Sequence, residues 1–324
     1  MASLAVVIVT ANPEGSLTKC LASLAVQNLA EFEVVVVCSG CEVPEKPTSM
    51  MAEGLAKRTR FIATANRGYG TACNLGARSS AAAYLIFLND DTQLHPACLQ
   101  SLYGSLSKDE NCILQPLIFH EYTHRAMRGN PCDIYGAAGL WFYGNCGKGE
   151  FYVSGAALAV SKRIFDWLGG FDEKLFLYHD DVDLSWRARL MGSGISCVES
   201  ASCEHTGGAS SGSMPHATKF YLSQRNRIRM VIKNYSTRRM LTRVAIACIM
   251  IIAGGAFLTI TTRKVQYVTS ACRAFAWNLV ELKGTLTERY RIQRKRVQDD
   301  KVVERSMSRF SMDLCVLKRR IIGA

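Results

Sequence analysis

The sequence lacks internal repeats and low-complexity tracts, and its composition argues against disorder, collagen or a simple coiled coil. It also lacks the basic amino-terminal region and the cleavage site of a secretory signal, so we expect its first residues to form a β-strand. Charged residues make up only 20% of the 324 residues, whereas apolar residues make up 48%. This balance predicts a globular protein, with one large domain plus an appendage or with two ordinary domains.

The cysteines do not form an obvious disulfide framework. All 13 are scattered, and several, including Cys98, Cys112 and Cys248, lie within apolar runs. Reduced thiols in such runs act as small hydrophobic side chains, so we expect a reducing compartment. The C-x-x-C motif from Cys38 to Cys41 is followed by Glu-Val-Pro, not by a helix start or a second ligand pair. We interpret these as loop cysteines, and a redox or metal-binding protein is the alternative.

Short apolar runs alternate with segments of helical periodicity in the first third of the chain. The pattern predicts a helix capped by Ser16 and a second helix over 70–80, with strands at 6–10, 33–37, 60–63 and 84–88. Such alternation indicates an α/β fold with a mostly parallel, Rossmann-like central sheet and helices on both faces. Ligands bind such sheets at the carboxyl ends of the strands, where several polar clusters fall.

The middle of the chain is less regular. Residues from about 104 to 150 show no clean period, and we interpret them as irregular structure around the site. Beyond them, the pattern predicts strands at 151–160 and 195–200 and a helix at 162–168. Val182, Trp186 and Leu190 recur every four residues, which predicts an amphipathic helix that begins with carboxylates and stops at Gly192.

Two acidic clusters carry the most chemical information. Asn89, Asp90 and Asp91 follow an apolar strand, where hard oxygen ligands suit Mg²⁺ or Mn²⁺ held together with substrate phosphates. A strand-ending Asx turn would explain them equally simply. Asp180 and Asp181 are adjacent carboxylates, which proteins retain on a solvated face or where one acts as a base.

Two further signals are weak when taken alone. The glycine-rich segment from Asn66 to Gly76 lies at a strand-to-helix junction, but it does not match G-x-G-x-x-G and a plain turn would explain it. His205 follows the strand predicted at 195–200, so it could complete a metal site or be an ordinary surface or core histidine.

Taken in order, these motifs resemble family-2 glycosyltransferases, particularly the rhamnosyltransferase-like branch. The resemblance spans residues 4 to about 235 and rests on Val9-Thr10-Ala11-Asn12, Asn66-Arg67-Gly68-Tyr69-Gly70, Asn74-Leu75-Gly76, Leu88-Asn89-Asp90-Asp91-Thr92, Gly169-Gly170-Phe171-Asp172-Glu173, Tyr178-His179-Asp180-Asp181-Val182-Asp183-Leu184-Ser185-Trp186-Arg187 and His205. It implies a GT-A fold, a nucleotide-diphosphosugar donor, a divalent metal and an inverting single displacement.

The resemblance also implies roles for individual residues. Asp91, Asn89 and His205 correspond to metal-binding positions, and Asp181, with Asp180 beside it, corresponds to the general base. Trp186 and Arg187 are expected to pack around the site and contact an anion. Donor-binding positions are Thr10, Asn12, Ser39, Asn66, Gly68, Asn74, Asn89 and Asp90. Cys38 stands where the family normally has an aspartate that contacts the nucleotide base, so the nucleotide is left unassigned.

The charge is unevenly distributed along the chain. Residues 1–218 have a net charge of −5 and are predicted to form the transferase domain, whereas residues 219–324 have a net charge of +17. Within this basic region, residues 244–262 contain no charge, which is marginally long enough to span a bilayer. Basic flanks on both sides favour an interfacial or re-entrant segment over a true span or a buried helix.

A polycation beside an apolar segment predicts attachment to an anionic membrane surface. No nucleic-acid recognition motif is present, so we expect no nucleic-acid partner. The sequence therefore predicts a peripheral or monotopic enzyme on the cytoplasmic face of the membrane, which adds a sugar to a lipid-linked glycan in cell-envelope polysaccharide biosynthesis. The alternative is a catalytically silent membrane scaffold with the same fold.

Overall fold

The computed structural model describes residues 3–45, 51–120, 126–138, 150–207, 214–309 and 311. The chain divides into two compact units. The first takes its described residues from Met1–Gly129, Val153–Phe176 and Ser193–Ser213, and the second from Asn130–Tyr152, Leu177–Gly192 and Met214–Ala324. The division of the sequence after residue 218 into a transferase and a membrane-associating region stays a prediction.

The first unit is built around one sheet. Its strands are β1 (Leu4–Thr10), β2 (Phe32–Ser39), β3 (Thr59–Thr64), β4 (Tyr84–Asn89), β5 (Thr92–Leu94), β6 (Cys112–His120), β7 (Ala126–Met127), β8 (Ala157–Ser161) and β9 (Gly194–His205). They follow the order β3-β2-β1-β4-β8-β6-β9-β5, and β7 pairs with β6. Strands β3, β2, β1 and β4 are parallel, whereas β8 is antiparallel to both β4 and β6. The prediction of a mostly parallel sheet is therefore confirmed for strands β3, β2, β1 and β4. The rest of the sheet contains both parallel and antiparallel pairs.

Helices cover both faces of this sheet. They are α1 (Leu17–Ala25), α2 (Glu53–Ala56), α3 (Tyr69–Arg78), α4 (Cys98–Leu106) and α5 (Lys162–Leu168). In α1, Leu17, Cys20, Leu21 and Leu24 form one apolar stripe, which packs in the same core as α4 and alternate side chains of β1 and β2. The other side chains of β2 pack against Ala72 of α3. Because both faces of β1 and β2 are buried, their sequences are continuous apolar runs.

The second unit is helical. It contains α6 (Asp180–Leu190), α7 (His216–Asn234), α8 (Thr237–Thr262), α9 (Gln266–Val280), α10 (Leu282–Lys295) and α11 (Asp300–Val303), followed by a 3₁₀ turn at Glu304–Ser306. Ile228 of α7, Ile251 of α8 and Ala271 of α9 share a small apolar core. Helix α8 is long and apolar enough to cross a membrane, and an 18-residue stretch within it has a mean hydropathy of 2.4.

Several sequence expectations were wrong in detail. Ser16 stands at the N-cap of α1, but its side chain makes no capping hydrogen bond, because its backbone is already helical. Residues 151–156 do not continue β8, which begins at Ala157, and Tyr152 makes only an isolated bridge to Asn130. Residues 104–150 are not uniformly irregular, since they include the end of α4 and all of β6. Residues 121–125 and 139–149 of that segment lie outside the described residues.

Candidate active site

The carboxyl ends of β1, β2 and β4 lie side by side in the first unit. Thr10 pairs with Cys38, and Val9 pairs with both Val37 and Asn89. The parallel register therefore brings Thr10, Ser39 and the Asn89–Asp90 corner to one edge of the sheet, as expected from the sequence. Thr10, Ser39 and Asp90 are buried, whereas Asn12 is exposed and its backbone N–H donates to Thr10 Oγ1 at 3.1 Å.

Asp90 lies in an environment that disfavours its charged form. The pKa of its carboxyl is raised to about 6, mainly by burial and also by the neighbouring Asp91, although a hydrogen bond with the Thr10 hydroxyl and the nearby His205 oppose this rise. Two buried carboxylates in sequence concentrate negative charge at this edge. A cation is the chemical partner that such an arrangement favours.

Asp91 and two histidines form a buried row beside this corner. His205 Nε2 lies 3.1 Å from Asp91 Oδ1, and His205 Nδ1 lies 3.3 Å from His120 Nδ1. His205 is the last residue of β9, not a residue beyond that strand, and it pairs with Thr92 of β5 and His120 of β6. Burial, and then the proximity of His205, lower the pKa of His120 to about 4 despite the opposing effect of Asp91. His120 was missed by sequence reasoning.

The glycine-rich segment has strong internal reasons for its residues. Gly68 has φ +100°, and a Cβ there would overlap the backbone of Phe176, so glycine is required without any ligand. Asn74 is buried, and its carboxamide exchanges two hydrogen bonds of 2.9 Å with the backbone of Phe171. Asn66 is exposed, and its Oδ1 accepts from Gly68 N at 3.2 Å. Donor-binding roles at these three positions stay predictions.

In the second unit, three acidic residues occupy the first turn of α6 and differ sharply in environment. Asp183 is fully buried and accepts from Arg187 Nε at 2.9 Å, Lys233 Nζ at 3.0 Å and Asn234 Nδ2 at 3.1 Å. Asp180 is also buried, whereas Asp181 is partly exposed, and its Oδ1 accepts from Val182 N at 2.8 Å. Of the three residues, Asp181 is therefore the most exposed.

The other predicted site residues of α6, Trp186 and Arg187, contact residues within the second unit. Trp186 is fully buried and packs edge-on against Phe151 and Tyr235, with ring centroids 5.7 and 4.8 Å away. Arg187 is buried in its ion pair with Asp183, so its contact is with a carboxylate of the chain. The guanidinium of Arg187 is directed to an internal anion, and the expected roles of Trp186 in packing around the site and of Arg187 in contacting an anion stay predictions.

The C-x-x-C motif does not have the features of a redox pair. Burial, and then interaction with Cys41, raise the pKa of Cys38 to about 12, so its thiol is protonated at neutral pH. Burial also raises the pKa of Cys41. Each cysteine that the structure describes is a free thiol. These observations disfavour the alternative in which Cys38 and Cys41 do redox chemistry.

The amino-acid sequence is similar to those of known sugar-transferring proteins. The sequence profile of glycosyl transferase family 2 matches residues 5–145. Over 216 residues, the chain is 29% identical to the N-acetylglucosaminyl-diphospho-decaprenol L-rhamnosyltransferase of Mycobacterium tuberculosis strains CDC 1551 and H37Rv. The alignment covers 57% of this chain and 69% of the relative.

Solved structures show the same fold at low sequence identity. GalNAc-T7, crystallised with UDP, GalNAc and Mn²⁺, has a TM-score of 0.56 and 16% identity. The match covers 90% of this chain but only 58% of the GalNAc-T7 chain. S. aureus TarS 1-349 in complex with UDP has a TM-score of 0.53 and 16% identity, and the match covers 90% of each chain.

The sheet, its covering helices and these structural neighbours show a fold of the GT-A type. The profile match and the mycobacterial relative support a glycosyltransferase of family 2. The resemblance stated from the motifs alone is thereby confirmed, as is the fold class. The roles of individual site residues stay predictions.

Proposed function

We propose that this protein transfers a sugar from a nucleotide-diphosphosugar to a hydroxyl of a lipid-linked glycan, with inversion at the sugar carbon and with Asp181 as the general base. The arrangement of Asp91 and His205 at the carboxyl edge of the sheet is the observation that carries the proposal. The acceptor class follows from the mycobacterial relative, whose name specifies a sugar on decaprenyl diphosphate. The transferred sugar and the nucleotide are left open.

The residues at this edge fit a divalent metal. Asp91 and His205 offer one oxygen and one nitrogen ligand 3.1 Å apart in buried positions. Within the described ranges, no group of three His, Cys, Asp or Glu side chains is arranged to hold a metal. Mg²⁺ and Mn²⁺ in phosphate-handling sites commonly use one or two protein ligands and take the rest from phosphates and water. A bound ion would neutralise the departing diphosphate.

Asp181 suits the role of base because an acceptor hydroxyl must reach it. Asp181 is partly exposed, whereas the carboxylate of Asp183 is buried and engaged by Lys233, Arg187 and Asn234. In the proposed step, the acceptor oxygen bonds to the sugar carbon while the bond from that carbon to the diphosphate breaks. The hydroxyl proton passes to a carboxylate oxygen of Asp181. One displacement on the face opposite the leaving group inverts the sugar carbon.

We also propose that the helices of the second unit attach the protein to the cytoplasmic face of an anionic membrane. One side of α8 is an apolar exposed face, formed by Leu241, Ala245, Ile249, Ile252 and Ile260. Helix α9 and its N-cap residue Val265 have a comparable face, which also includes Val268, Cys272, Ala276, Leu279 and Val280. Clustered apolar surface in a segment of high positive charge fits insertion into an anionic leaflet.

The packing of α8 favours insertion along the interface over a crossing. Ala247, Ile251 and Gly255 form a buried stripe, of which Ile251 shares a core with α7 and α9 and Gly255 lies beside Ala271. Helix α7 carries Arg227, Arg229 and Lys233, so a membrane-spanning α8 would draw cationic side chains toward the hydrocarbon region. An interfacial position leaves them with their polar partners in the protein.

Thermal unfolding with a panel of nucleotide-diphosphosugars and Mn²⁺ tests the proposed function. A ligand that binds the folded state raises its apparent stability, so we expect one donor to raise the Tm only when Mn²⁺ is present. Asp91→Asn should abolish the shift, whereas the exposed Asp166→Asn should retain it. A metal-independent shift would contradict the metal site. A normal shift without donor hydrolysis or transfer would instead indicate a catalytically silent scaffold.

A further inference from the structure

The backbone immediately before the acidic pair adopts an unusual conformation. Tyr178 and His179 have φ values of 70° and 68°, in the left-handed region that non-glycine residues rarely occupy. They directly precede Asp180, where α6 begins. Such residues persist only where surrounding structure determines their conformation, so other contacts must hold this segment in place.

Asn226 of α7 supplies those contacts. Its side chain is fully buried, and its Nδ2 donates to Leu177 O at 2.8 Å and to Tyr178 O at 2.9 Å. Arg225 Nε donates to Asn226 Oδ1 at 3.1 Å, which orients the carboxamide. The amide nitrogen of asparagine carries two N–H bonds and can donate to both carbonyl oxygens, whereas aspartate and leucine have no side-chain N–H to donate.

Helices α6 and α7 are also joined by contacts that do not involve Asn226. Two turns farther along α7, Lys233 and Asn234 bind Asp183 within α6 itself. The hydrogen bonds of Asn226 instead reach the segment that leads into the helix. These hydrogen bonds therefore constrain the backbone conformation of Leu177–His179 and, through it, the position of Asp180 and Asp181.

We propose that Asn226 is a positioning residue for sugar transfer, which holds the Leu177–His179 segment so that the Asp181 carboxylate is correctly placed. This inference rests on the proposed role of Asp181 as the base. Small displacements of a catalytic group cost substantial rate, on the order of 10²-fold for about 1 Å. Asn226 would therefore affect turnover without contacting the substrate.

Asn226→Ala is the direct test, and Asn278→Ala is its matched control. Asn278 is also buried, and its Nδ2 also donates to two carbonyl oxygens, those of Arg225 and Ala274, each at 2.9 Å. Both variants should lower the Tm to a similar extent. Asn226→Ala alone should reduce kcat of transfer, by about 10²-fold, with the donor KM nearly unchanged. It alone should also accelerate hydrogen exchange of the amides of residues 177–181.

A rescue variant separates positioning from general destabilisation. His179→Gly removes the cost of the left-handed conformation, so its addition to Asn226→Ala should restore part of kcat. Equal losses of kcat in the Asn226 and Asn278 variants, or unchanged exchange at residues 177–181, would overturn the proposal. Near-normal turnover of Asp181→Asn would instead refute Asp181 as the general base. Hydrogen exchange at residues 177–181 would still show whether Asn226 holds the Leu177–His179 segment.

Discussion

Replacing the exposed isoleucines of α8 should detach the protein from membranes. Ile249, Ile252 and Ile260 are 66%, 57% and 77% exposed, equivalent together to about two fully exposed side chains. Burying one such side chain contributes about 1.5–3 kcal/mol, so insertion of all three contributes about 3–6 kcal/mol. At about 1.4 kcal/mol per tenfold change, the triple substitution to Gln should weaken vesicle binding by about 10²- to 10⁴-fold.

Sedimentation with vesicles of phosphatidylglycerol and phosphatidylcholine measures this binding. Val26→Gln and Val297→Gln are matched controls, because these side chains are 59% and 68% exposed but lie outside α8 and α9. Salt at 1 M should release the unmutated protein only partly, since it screens charges beyond about 3 Å but leaves apolar insertion intact. Unchanged binding of the triple variant, or complete release by salt, would refute insertion. Resistance to carbonate extraction, with protease access to only one flank of α8, would show a true span.

Two further predictions concern histidines. His120→Phe should weaken Mn²⁺ binding in the presence of nucleoside diphosphate by about 10- to 100-fold, because His205 loses the neighbour that orients it. Electron paramagnetic resonance titration of Mn²⁺ measures this, and the exposed His95→Phe should bind normally. The pKa of His179 is lowered to about 4 by burial and by Arg227, so the unfolded state takes up the proton first as pH falls below about 6.5. Between pH 7 and pH 4, the free energy of unfolding should therefore fall by about 3 kcal/mol more in the unmutated protein than in His179→Asn. Urea unfolding measures this difference. A urea midpoint that shifts equally with pH in the two proteins would contradict a buried neutral imidazole at His179.

The strands that carry the Thr10 and Asn89–Asp91 clusters could be predicted because both faces of each strand are buried. Their sequences are short apolar runs, and polar residues mark where each run ends. Parallel pairing then follows from the intervening helices. The acidic start of α6 was equally accessible, because its apolar residues recur at helical spacing.

Strand β6 was missed for a local physical reason. Pro116 lies in its middle, and proline normally argues against a strand because it donates no ladder hydrogen bond. The structure accommodates it at an irregularity, where the register with β9 shifts between Pro116 and Leu117. Without β6, its last residue His120 had no assigned place. A pairing between residues 85 positions apart leaves no signal in local periodicity.

The contacts of α7 were also beyond the sequence pattern. Asn226 and Asn234 read as ordinary polar residues on a basic helix, yet both are fully buried and bind the segment around Asp181. Their polar partners are backbone carbonyls and a buried carboxylate of α6. Only the tertiary structure brings these groups together, so composition and spacing could not identify them.

Transfer to a defined lipid-linked acceptor tests the central claim most directly. The purified protein is incubated with Mn²⁺, a panel of nucleotide-diphosphosugars and N-acetylglucosaminyl-diphospho-prenol, and the lipid product is detected by mass spectrometry. One donor should yield an acceptor that is heavier by one sugar. Asp181→Asn should slow this reaction by about 10²- to 10⁴-fold with donor binding nearly intact, whereas Asp180→Asn should do much less. Near-normal transfer by Asp181→Asn, or no product from any donor despite metal-dependent donor binding, would contradict the account.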